Sequence, residues 1–277
     1  MAAQREQALG QEIGRVVVDD DRRNSASDPP AWLGRRRVLA VIPAFNEEST
    51  IAEVLEDARQ CAPFADLVVV NDGSHDGTVA RARAARVPLL DLPYNIGLGG
   101  AIQTAYHFAA AGGYQAVIQM DADGQHRAAD VARLVEVLLR DQLDLVIGSR
   151  YLDPHGYRST FLRRFGNRFF AVLLSALCRQ RITDPTSGFR AVGPRLLHHF
   201  TRNYPFEYPE VESLLMAARL GCRIGEVAVQ MQPRLSGDST IGGWGAASYM
   251  VKVTLAIFID LLRRRPTLRA GETARHV

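Results

Sequence analysis

The chain repeatedly places a short apolar run before a polar turn and an amphipathic helical pattern. Apolar runs of strand length occur at 38–42, 67–70, 114–118 and 145–149, and each is followed by a polar group and then by a helical segment. Strands that alternate with helices favour parallel pairing, with helices covering the sheet. The sequence therefore predicts an α/β fold with a mostly parallel central sheet, whose strand ends carry polar side chains along one edge.

The run at 114–118 leads into two carboxylates, Asp121 and Asp123, which flank Ala122. Two like charges this close disfavour joint ionisation, and a divalent cation would relieve that repulsion. Mg²⁺ and Mn²⁺ prefer oxygen ligands, so the carboxylates and the Gln125 amide oxygen are candidate ligands. The alternative is a solvated turn in which Gly124 supplies a positive φ.

The first two strands also end in candidate binding residues. Pro43 lacks a ladder donor and is expected to end the first strand, and the turn after it has no G-x-G-x-x-G spacing, which disfavours a dinucleotide site. Phe45 would stack on a base and Glu47 would accept from it, unless they form a hydrophobic staple and an acidic first helical turn. Asp72 is expected to be free to accept a nucleobase N–H, whereas Ser74 or Asp76 caps the helix that begins near Thr78.

Two further segments carry candidate anion contacts. The glycines of 95–101 miss the P-loop spacing and predict a tight turn and a close-packed helix start. Arg150 follows the strand at 145–149 and is expected to hold a diphosphate in a bidentate fork, unless it forms a surface ion pair. Arg190 lies in the polar loop of 183–190 as a second available guanidinium.

Length and composition suit one catalytic domain. The chain has 277 residues, a mass of 30.5 kDa and a net charge of +3, which is too small to indicate nucleic-acid binding. Three cysteines without metal spacing predict free thiols. The polar N-terminus has no secretory h-region, so we expect a cytoplasmic protein. We divide the chain into a flexible arm (1–35), the main domain (36–240), an interfacial helix (241–265) and a basic tail (266–277).

Two apolar helical segments, 169–177 and 250–262, are too short to span a bilayer and have arginines nearby. Such helices are typical of the surface of an anionic membrane. On composition alone, an ordinary core helix explains the second segment equally well. We therefore expect amphipathic membrane-surface helices in the C-terminal half and a peripheral position on the cytoplasmic face, with the core alternative open.

Several motifs in this order resemble glycosyltransferase family 2, and within it the polyprenyl-phosphate sugar synthases of the dolichyl-phosphate mannose synthase type. The resemblance covers about 38–265. The motifs are Pro43-Ala44-Phe45-Asn46-Glu47, Asn71-Asp72-Gly73-Ser74, Asp121-Ala122-Asp123-Gly124-Gln125, Gly148-Ser149-Arg150, Asp184 to Arg190, and Arg234-x-x-Gly237-x-Ser239.

The resemblance implies a GT-A type nucleotide-binding fold and assigns roles to residues of the sheet edge. Asp123 and Gln125 match the metal ligands, for Mg²⁺ or Mn²⁺, and Asp121 matches a contact to ribose or a metal-bound water. The implied nucleotide-sugar site comprises Pro43, Ala44, Phe45, Glu47, Asp72, Asp121, Ala122, Asp123, Gln125 and Arg150. The implied acceptor site comprises Arg164, Ser187, Arg190, Arg234 and Ser239. Phe45 stands where the family often has Tyr, and Thr240 stands where it often has Lys.

By this resemblance, the predicted function is inverting transfer of a hexose from a nucleotide-sugar to polyprenyl phosphate, with Asp123, Arg150 and Arg234 as catalytic residues. A phosphate acceptor is already an anion and needs no general base. The alternative is a saccharide or other soluble hydroxyl acceptor, for which Glu212 or Glu210 would take the proton. A nucleotidyltransferase and a non-catalytic membrane adaptor are disfavoured by the motifs. A membrane-protein partner or a second copy of the chain stays open.

Overall fold

The computed structural model describes residues 30–153, 161–232 and 243–262. Seven strands form one sheet: β1 (Val38–Ala44), β2 (Ala65–Asn71), β3 (Leu89–Asp91), β4 (Ala116–Gln119), β5 (Leu145–Ser149), β6 (Arg190–Val192) and β7 (Ile224–Ala228). The helices are α1 (Ile51–Cys61), α2 (Thr78–Ala84), α3 (Gly97–Ala111), α4 (Val131–Arg140), α5 (Phe161–Cys178), α6 (Pro194–Asn203), α7 (Pro209–Arg219) and α8 (Gly243–Leu262). A 3₁₀ turn, Ala128–Asp130, precedes α4.

The sheet confirms the mostly parallel prediction and adds one antiparallel strand. The strand order is β3-β2-β1-β4-β6-β5-β7, and β6 runs antiparallel to both of its neighbours. The other pairings, β1 with β2 and β4, β2 with β3, and β5 with β7, are parallel. The carboxyl ends of β1, β2, β4 and β5 therefore meet at one edge of the sheet.

Two apolar layers fix the helices on the two faces of the sheet. Alternate residues of β1 point to opposite faces, with Leu39 and Val41 in one core cluster and Ala40 and Ile42 in the other. Helices α3, α5, α6, α7 and α8 pack on the first face. Helices α1, α2 and α4 pack on the second. Each helix buries an apolar side in one of these two clusters, against the sheet or against a neighbouring helix, which explains the helical periodicity in the sequence.

The prediction that Pro43 ends the first strand is wrong, because β1 continues to Ala44. The Val41 carbonyl accepts the Met120 N–H and the Ala44 carbonyl accepts the Asp72 N–H, so alternate residues bond to alternate neighbours. The missing N–H of Pro43 would therefore face the β4 side, where the paired register has already ended at Val41 and Gln119. Proline is tolerated there because no ladder hydrogen bond is lost.

The predicted domain limits need one correction. Residues 30–35, which we assigned to the flexible arm, form a turn that packs on the domain: Leu33 is buried and Trp32 meets Phe64 edge to face at 5.4 Å. The remainder of the arm, residues 154–160 and 233–240 of the main domain, residues 241–242 and 263–265 of the predicted interfacial helix, and the basic tail lie outside the described residues. Cys61, Cys178 and Cys222 are free thiols, as predicted.

Candidate active site at the carboxyl edge of the sheet

The loops after β1 and β2 are tied together by hydrogen bonds. The Asn46 N–H donates to Ser74 Oγ at 2.9 Å, and the His75 N–H donates to Asn46 Oδ1 at 2.9 Å. Asn46 adopts a φ of 57°, which Asn tolerates better than most residues. Phe45 is 43% exposed and lies edge to face with His75, at a centroid distance of 6.4 Å. Phe45 is thus not buried as a hydrophobic staple would be, and its stacking on a base stays a prediction.

Glu47 and its neighbours anchor the helices that follow this edge. The Glu47 carboxylate accepts from Thr50 Oγ1 at 2.9 Å, and its backbone N–H donates to Thr78 Oγ1 at 2.8 Å. The Asp76 carboxylate accepts the Thr78 N–H at 3.0 Å, which confirms Asp76 as a cap at the start of α2. The contact of Glu47 with a base stays a prediction.

The expectation that Asp72 is free is wrong. Asp72 is buried, and its two carboxylate oxygens accept the N–H groups of Ile96 and Gly97 at 2.8 and 3.0 Å. These are the first backbone donors of α3, which are otherwise unsatisfied at a helix start. Asp72 therefore fixes the α3 N-terminus against the sheet edge, and any contact with a nucleobase would add to that structural role.

The glycine-rich segment is a tight turn and a close-packed helix start, as predicted. Gly97 has a φ of 83°, which favours glycine. A Cβ atom on Gly99 would come within 2.4 Å of the Pro205 carbonyl oxygen and 2.6 Å of Phe206 Cα. The backbone before α7 can approach α3 this closely because residue 99 has no side chain.

Asp121 and Asp123 follow β4 at the same edge, but in different environments. The Asp121 side chain is 39% exposed. Asp123 is only 6% exposed. Its Oδ1 accepts the Gln125 N–H at 3.0 Å, across a turn in which Gly124 has a φ of 75°. The positive φ of the alternative interpretation is thus present, while the carboxylate itself is not solvated.

His126 stabilises this turn through contacts with Asp121, a role that we did not predict. Its Nδ1 accepts the Asp121 N–H at 3.0 Å, and its Nε2 lies 3.6 Å from Asp121 Oδ2. The ring is buried and stacks on Phe189 at a centroid distance of 4.7 Å. Across the turn, a Cβ atom on Gly188 would lie 3.3 Å from Asp121 Oδ1. The Asp121 carboxylate therefore lies between the imidazole of His126 and the backbone of Gly188.

Arg150 forms a bidentate fork, but its partner is a carboxylate of the protein. Its Nε and Nη2 both lie 2.7 Å from the Asp184 oxygens, and Nη2 also donates to Thr186 Oγ1 at 2.8 Å. The Arg150 side chain is 15% exposed and that of Asp184 is fully buried. The alternative of a surface ion pair is therefore wrong, and contact with a diphosphate stays a prediction for a guanidinium already engaged with Asp184.

The description of Arg190 as available to an acceptor is wrong. Arg190 is 3% exposed. Its guanidinium donates to the carbonyl oxygens of Ser187, Pro185 and Glu210 at 2.6, 2.9 and 2.6 Å, and to Ser213 Oγ at 3.0 Å. This side chain ties the polar loop to the first turn of α7.

Ser187 is likewise committed inside the protein, which contradicts its predicted acceptor role. Its hydroxyl donates to the Gly148 carbonyl at 2.7 Å, accepts the Phe189 N–H at 3.3 Å, and is buried. Arg164 is exposed on α5, and its contact with an acceptor stays a prediction. Arg234 and Ser239 lie outside the described residues.

The two candidate general bases at the start of α7 differ in what they contact. The Glu212 carboxylate accepts the Tyr208 N–H at 3.2 Å and so contacts the backbone at the start of its own helix. Glu210 instead lines a cavity of about 420 Å³ beside the α3 N-terminus. The cavity is lined by Ile96, Gly97, Leu98, Phe206, Glu207, Tyr208, Pro209 and Glu210.

The charges around Glu210 place it close to the carboxylate edge. Burial raises the pKa of the Glu210 carboxyl above its ordinary value, and the negative charge of Asp121 raises that pKa further. The positive charges of Arg190 and Arg150 lower it. Glu210 and Asp121 are therefore within electrostatic reach of each other across the site.

The oxygen donors of this turn fit a divalent cation whose remaining coordination positions are filled by a bound ligand. Within the described part of the chain, no three His, Cys, Asp or Glu side chains form a group that would hold a metal by themselves. Asp123 and the Gln125 amide oxygen are hard oxygen donors on one turn, and Asp121 is adjacent. Mg²⁺ and Mn²⁺ are commonly held by one or two carboxylates, with waters and substrate phosphates in the other positions.

The solved structures similar to this chain share its fold. Glucosyl-3-phosphoglycerate synthase from Mycobacterium tuberculosis, in complex with Mn²⁺, UDP and glucosyl-3-phosphoglycerate, superposes with a TM-score of 0.63 at 23% identity. The match covers 89% of this chain and 88% of that chain. The likeness confirms an α/β domain of the GT-A type.

Sequence comparison supplies the family. An undecaprenyl-phosphate mannosyltransferase of Micrococcus luteus is 32% identical over 235 residues, which cover 79% of this chain and 93% of that protein. A polyprenol monophosphomannose synthase of Mycolicibacterium smegmatis is 28% identical over 257 residues, which cover 86% and 94%. Residues 39–200 match the family described as glycosyl transferase family 2. The chain is a transferase that belongs to glycosyltransferase family 2.

Proposed function

We propose that this protein transfers a hexose from a nucleotide-sugar to polyprenyl phosphate, with inversion at the anomeric carbon, at the surface of a membrane. The observation that carries the proposal is the match over nearly the whole length of an undecaprenyl-phosphate mannosyltransferase, in a chain whose Asp121, Asp123 and Gln125 stand together at the carboxyl edge of the sheet. Ligands of open α/β sheets bind at this edge.

The donor would lie across the ends of β1, β2 and β4. Phe45 offers a partly exposed ring for the base, and Asp72 fixes the start of α3 at the same edge of the sheet. Asp123 and Gln125 would hold Mg²⁺ or Mn²⁺ against the diphosphate. The cation, when bound, neutralises charge that develops on the departing nucleoside diphosphate. Arg150, which is paired with Asp184 after β5, is the guanidinium that we propose to contact the diphosphate.

A lipid phosphate fits the protonation chemistry of the site. The acceptor oxygen is already anionic and attacks without losing a proton, so no side chain needs to act as a base. Glu212 is engaged with the Tyr208 N–H, in keeping with a structural role. The alternative, a soluble hydroxyl acceptor, is favoured by one observation: the Glu210 carboxyl faces the cavity and would be the base for such a reaction.

The membrane contact is proposed for the outer faces of α5 and α8. These helices are adjacent, since a Cβ atom on Gly166 would lie 3.5 Å from the Met250 sulfur. Their exposed apolar side chains recur at helical spacing and range from 40% to 88% exposed: Phe165, Phe169 and Val172 on α5, and Val251, Leu255, Phe258, Ile259 and Leu262 on α8. The inner faces are core, with Phe170, Leu174, Val253 and Ile257 buried.

Each helix has a buried core face, as the core alternative predicted, and an exposed apolar face; contact of the exposed face with a membrane stays a prediction. Arg164, Arg168 and Lys252 are exposed on the same two helices, and a basic residue near an anionic surface contributes about 1 kcal/mol. Among the residues that the structure describes, no helix is long and apolar enough to cross a bilayer.

The test is a screen of GDP-mannose, UDP-glucose and UDP-N-acetylglucosamine for release of nucleoside diphosphate, with and without undecaprenyl phosphate. We expect one donor to give release that depends on the lipid phosphate. Equal release with a water-soluble hydroxyl acceptor, and none with the lipid, would favour the alternative function.

A further inference from the structure

The cavity beside the α3 N-terminus carries a carboxyl group that has no structural task. Glu210 is half-buried and lines this cavity. Among the described residues, no other residue donates a hydrogen bond to its carboxyl oxygens. The nearby Glu212 accepts the Tyr208 N–H and so satisfies one backbone donor at the start of α7. In the described part of the chain, only the backbone N–H of Glu210 itself donates to the carboxyl, so hydroxyl or N–H donors of a ligand would replace the hydration that partial burial removes.

The protein holds Glu210 in place through its backbone. The Arg190 guanidinium donates to the Glu210 carbonyl at 2.6 Å and to Ser213 Oγ at 3.0 Å, while Ser213 Oγ also lies 3.3 Å from the same carbonyl. Arg190 is in turn anchored on the carbonyls of Ser187 and Pro185. These hydrogen bonds fix the backbone of the first turn of α7. A side chain that discriminates between ligands needs a backbone that is held in place in this way.

The carboxylate and the apolar side chains that line the cavity favour one kind of ligand group. An ionised carboxylate only accepts hydrogen bonds, so it pairs with hydroxyl or N–H donors. It repels phosphate, and Asp121 across the site has the same charge. The apolar side chains of Ile96, Leu98 and Phe206 form other parts of the wall and suit the C–H faces of a sugar ring. A neutral polyol fits this cavity, whereas the diphosphate and the acceptor phosphate do not.

We infer that this cavity is the subsite for the transferred hexose, and that Glu210 is a specificity-determining residue that accepts hydrogen bonds from the sugar hydroxyls. The inference rests on the proposed function. It names Glu210, in place of Glu212, as the α7 carboxyl that meets substrate, and it gives that carboxyl a binding role instead of the role of a general base.

The test compares ligands that differ only by the sugar. Calorimetry with GDP-mannose against GDP, and with UDP-glucose against UDP, is run on wild type, Glu210→Ala and Glu210→Gln. We expect Glu210→Ala to weaken binding of the nucleotide-sugar by about tenfold, the loss of roughly one hydrogen bond to a charged group, while binding of the nucleoside diphosphate is unchanged. Glu210→Gln retains an acceptor oxygen and should lose less. Glu53→Ala, an exposed glutamate in the first turn of α1, is the matched control and should change neither affinity.

Three outcomes would overturn the inference. Equal losses for the nucleotide-sugar and the nucleoside diphosphate would show that Glu210 acts on the fold of the site. Unchanged binding by Glu210→Ala would remove it from the sugar subsite. Unchanged binding by Glu210→Gln with loss of turnover would make Glu210 a general base. Wild type that binds neither diphosphate would instead refute the proposed function, on which the inference rests.

Discussion

Replacing Arg190 by methionine tests the claim that a buried guanidinium holds the polar loop and α7 together. Arg190 makes four hydrogen bonds of 2.6 to 3.0 Å, three to carbonyl oxygens and one to a hydroxyl. Methionine fills part of the volume and supplies no donor, so the four acceptors lose their partner. A hydrogen bond to a charged group contributes about 1.5–3 kcal/mol, but four bonds to one group are not additive. We expect a loss of about 3 kcal/mol or more in the free energy of unfolding, because each buried acceptor left unsatisfied costs about 1–3 kcal/mol.

The assay is urea unfolding followed by circular dichroism, in which a lower midpoint with an unchanged slope reports a loss of stability. Arg181→Met, an exposed arginine just before the same loop, is the control and should change stability by less than about 0.5 kcal/mol. If Arg190→Met does not yield folded protein, Arg190→Lys, which keeps the charge and one donor group, should show a smaller loss. A change within about 0.5 kcal/mol for both Arg190 variants would refute the reasoning, because the guanidinium would then contribute no net stability.

Four other predictions follow from the site and the outer helices. Asp123→Asn keeps an acceptor for the Gln125 N–H and should abolish Mn²⁺ binding in the presence of nucleoside diphosphate, measured by calorimetry; retained Mn²⁺ affinity would exclude Asp123 as a ligand. Asp72→Ala should lower the free energy of unfolding by about 2–3 kcal/mol, because the N–H groups at the α3 start lose their acceptor, and Asp72→Asn should lower it by less. Wild-type stability of Asp72→Ala in urea unfolding would contradict the capping role. His126→Phe leaves the Asp121 N–H without its acceptor and should lose about 1–3 kcal/mol of stability, whereas wild-type stability would show that the contact contributes nothing. Phe258→Asp should reduce co-sedimentation with anionic liposomes while Ala80→Asp on the opposite face does not, and equal sedimentation would place the membrane contact elsewhere.

The sequence predicted the fold well because its signals are local. Runs such as 38–42 and 67–70 are long enough to identify central strands, and the face with Ile51, Val54, Leu55 and Ala58 is buried as its periodicity predicted. The antiparallel β6 was missed because three residues are too few to show a period. Its insertion between β4 and β5 is decided by tertiary pairing, which no local pattern shows.

The site was predicted in its location and less well in its contacts. Residues at strand ends do meet at one edge, so Asp72 and Asp121 are where the pattern placed them. The sequence did not show that the start of α3 would fold back onto Asp72, or that the loop before β6 would enclose Arg190. The errors on Asp72 and Arg190 have one cause. A polar residue in a polar loop is expected to be solvated, and its burial is decided by long-range packing that the local sequence does not show.

The difference between Glu210 and Glu212 was likewise invisible in the sequence. Both residues lie in the first turn of one helix, and two residues change the direction of a side chain by about 200°. One carboxyl therefore turns to the Tyr208 N–H and the other to the cavity. His126 was missed because a lone histidine after a turn has no distinguishing pattern, although it accepts the backbone N–H of Asp121.

The central claim, sugar transfer to a lipid phosphate, is tested most directly by following the labelled sugar itself. The purified protein is incubated with Mn²⁺, undecaprenyl phosphate in liposomes and each nucleotide-sugar labelled in the hexose, and the label is partitioned between organic and aqueous phases. We predict that label from one donor enters the organic phase as a hexosyl phospholipid, and that omission of the lipid phosphate abolishes this transfer. Label that stays in the aqueous phase with every donor, from protein that binds the same nucleotide-sugar, would contradict the account.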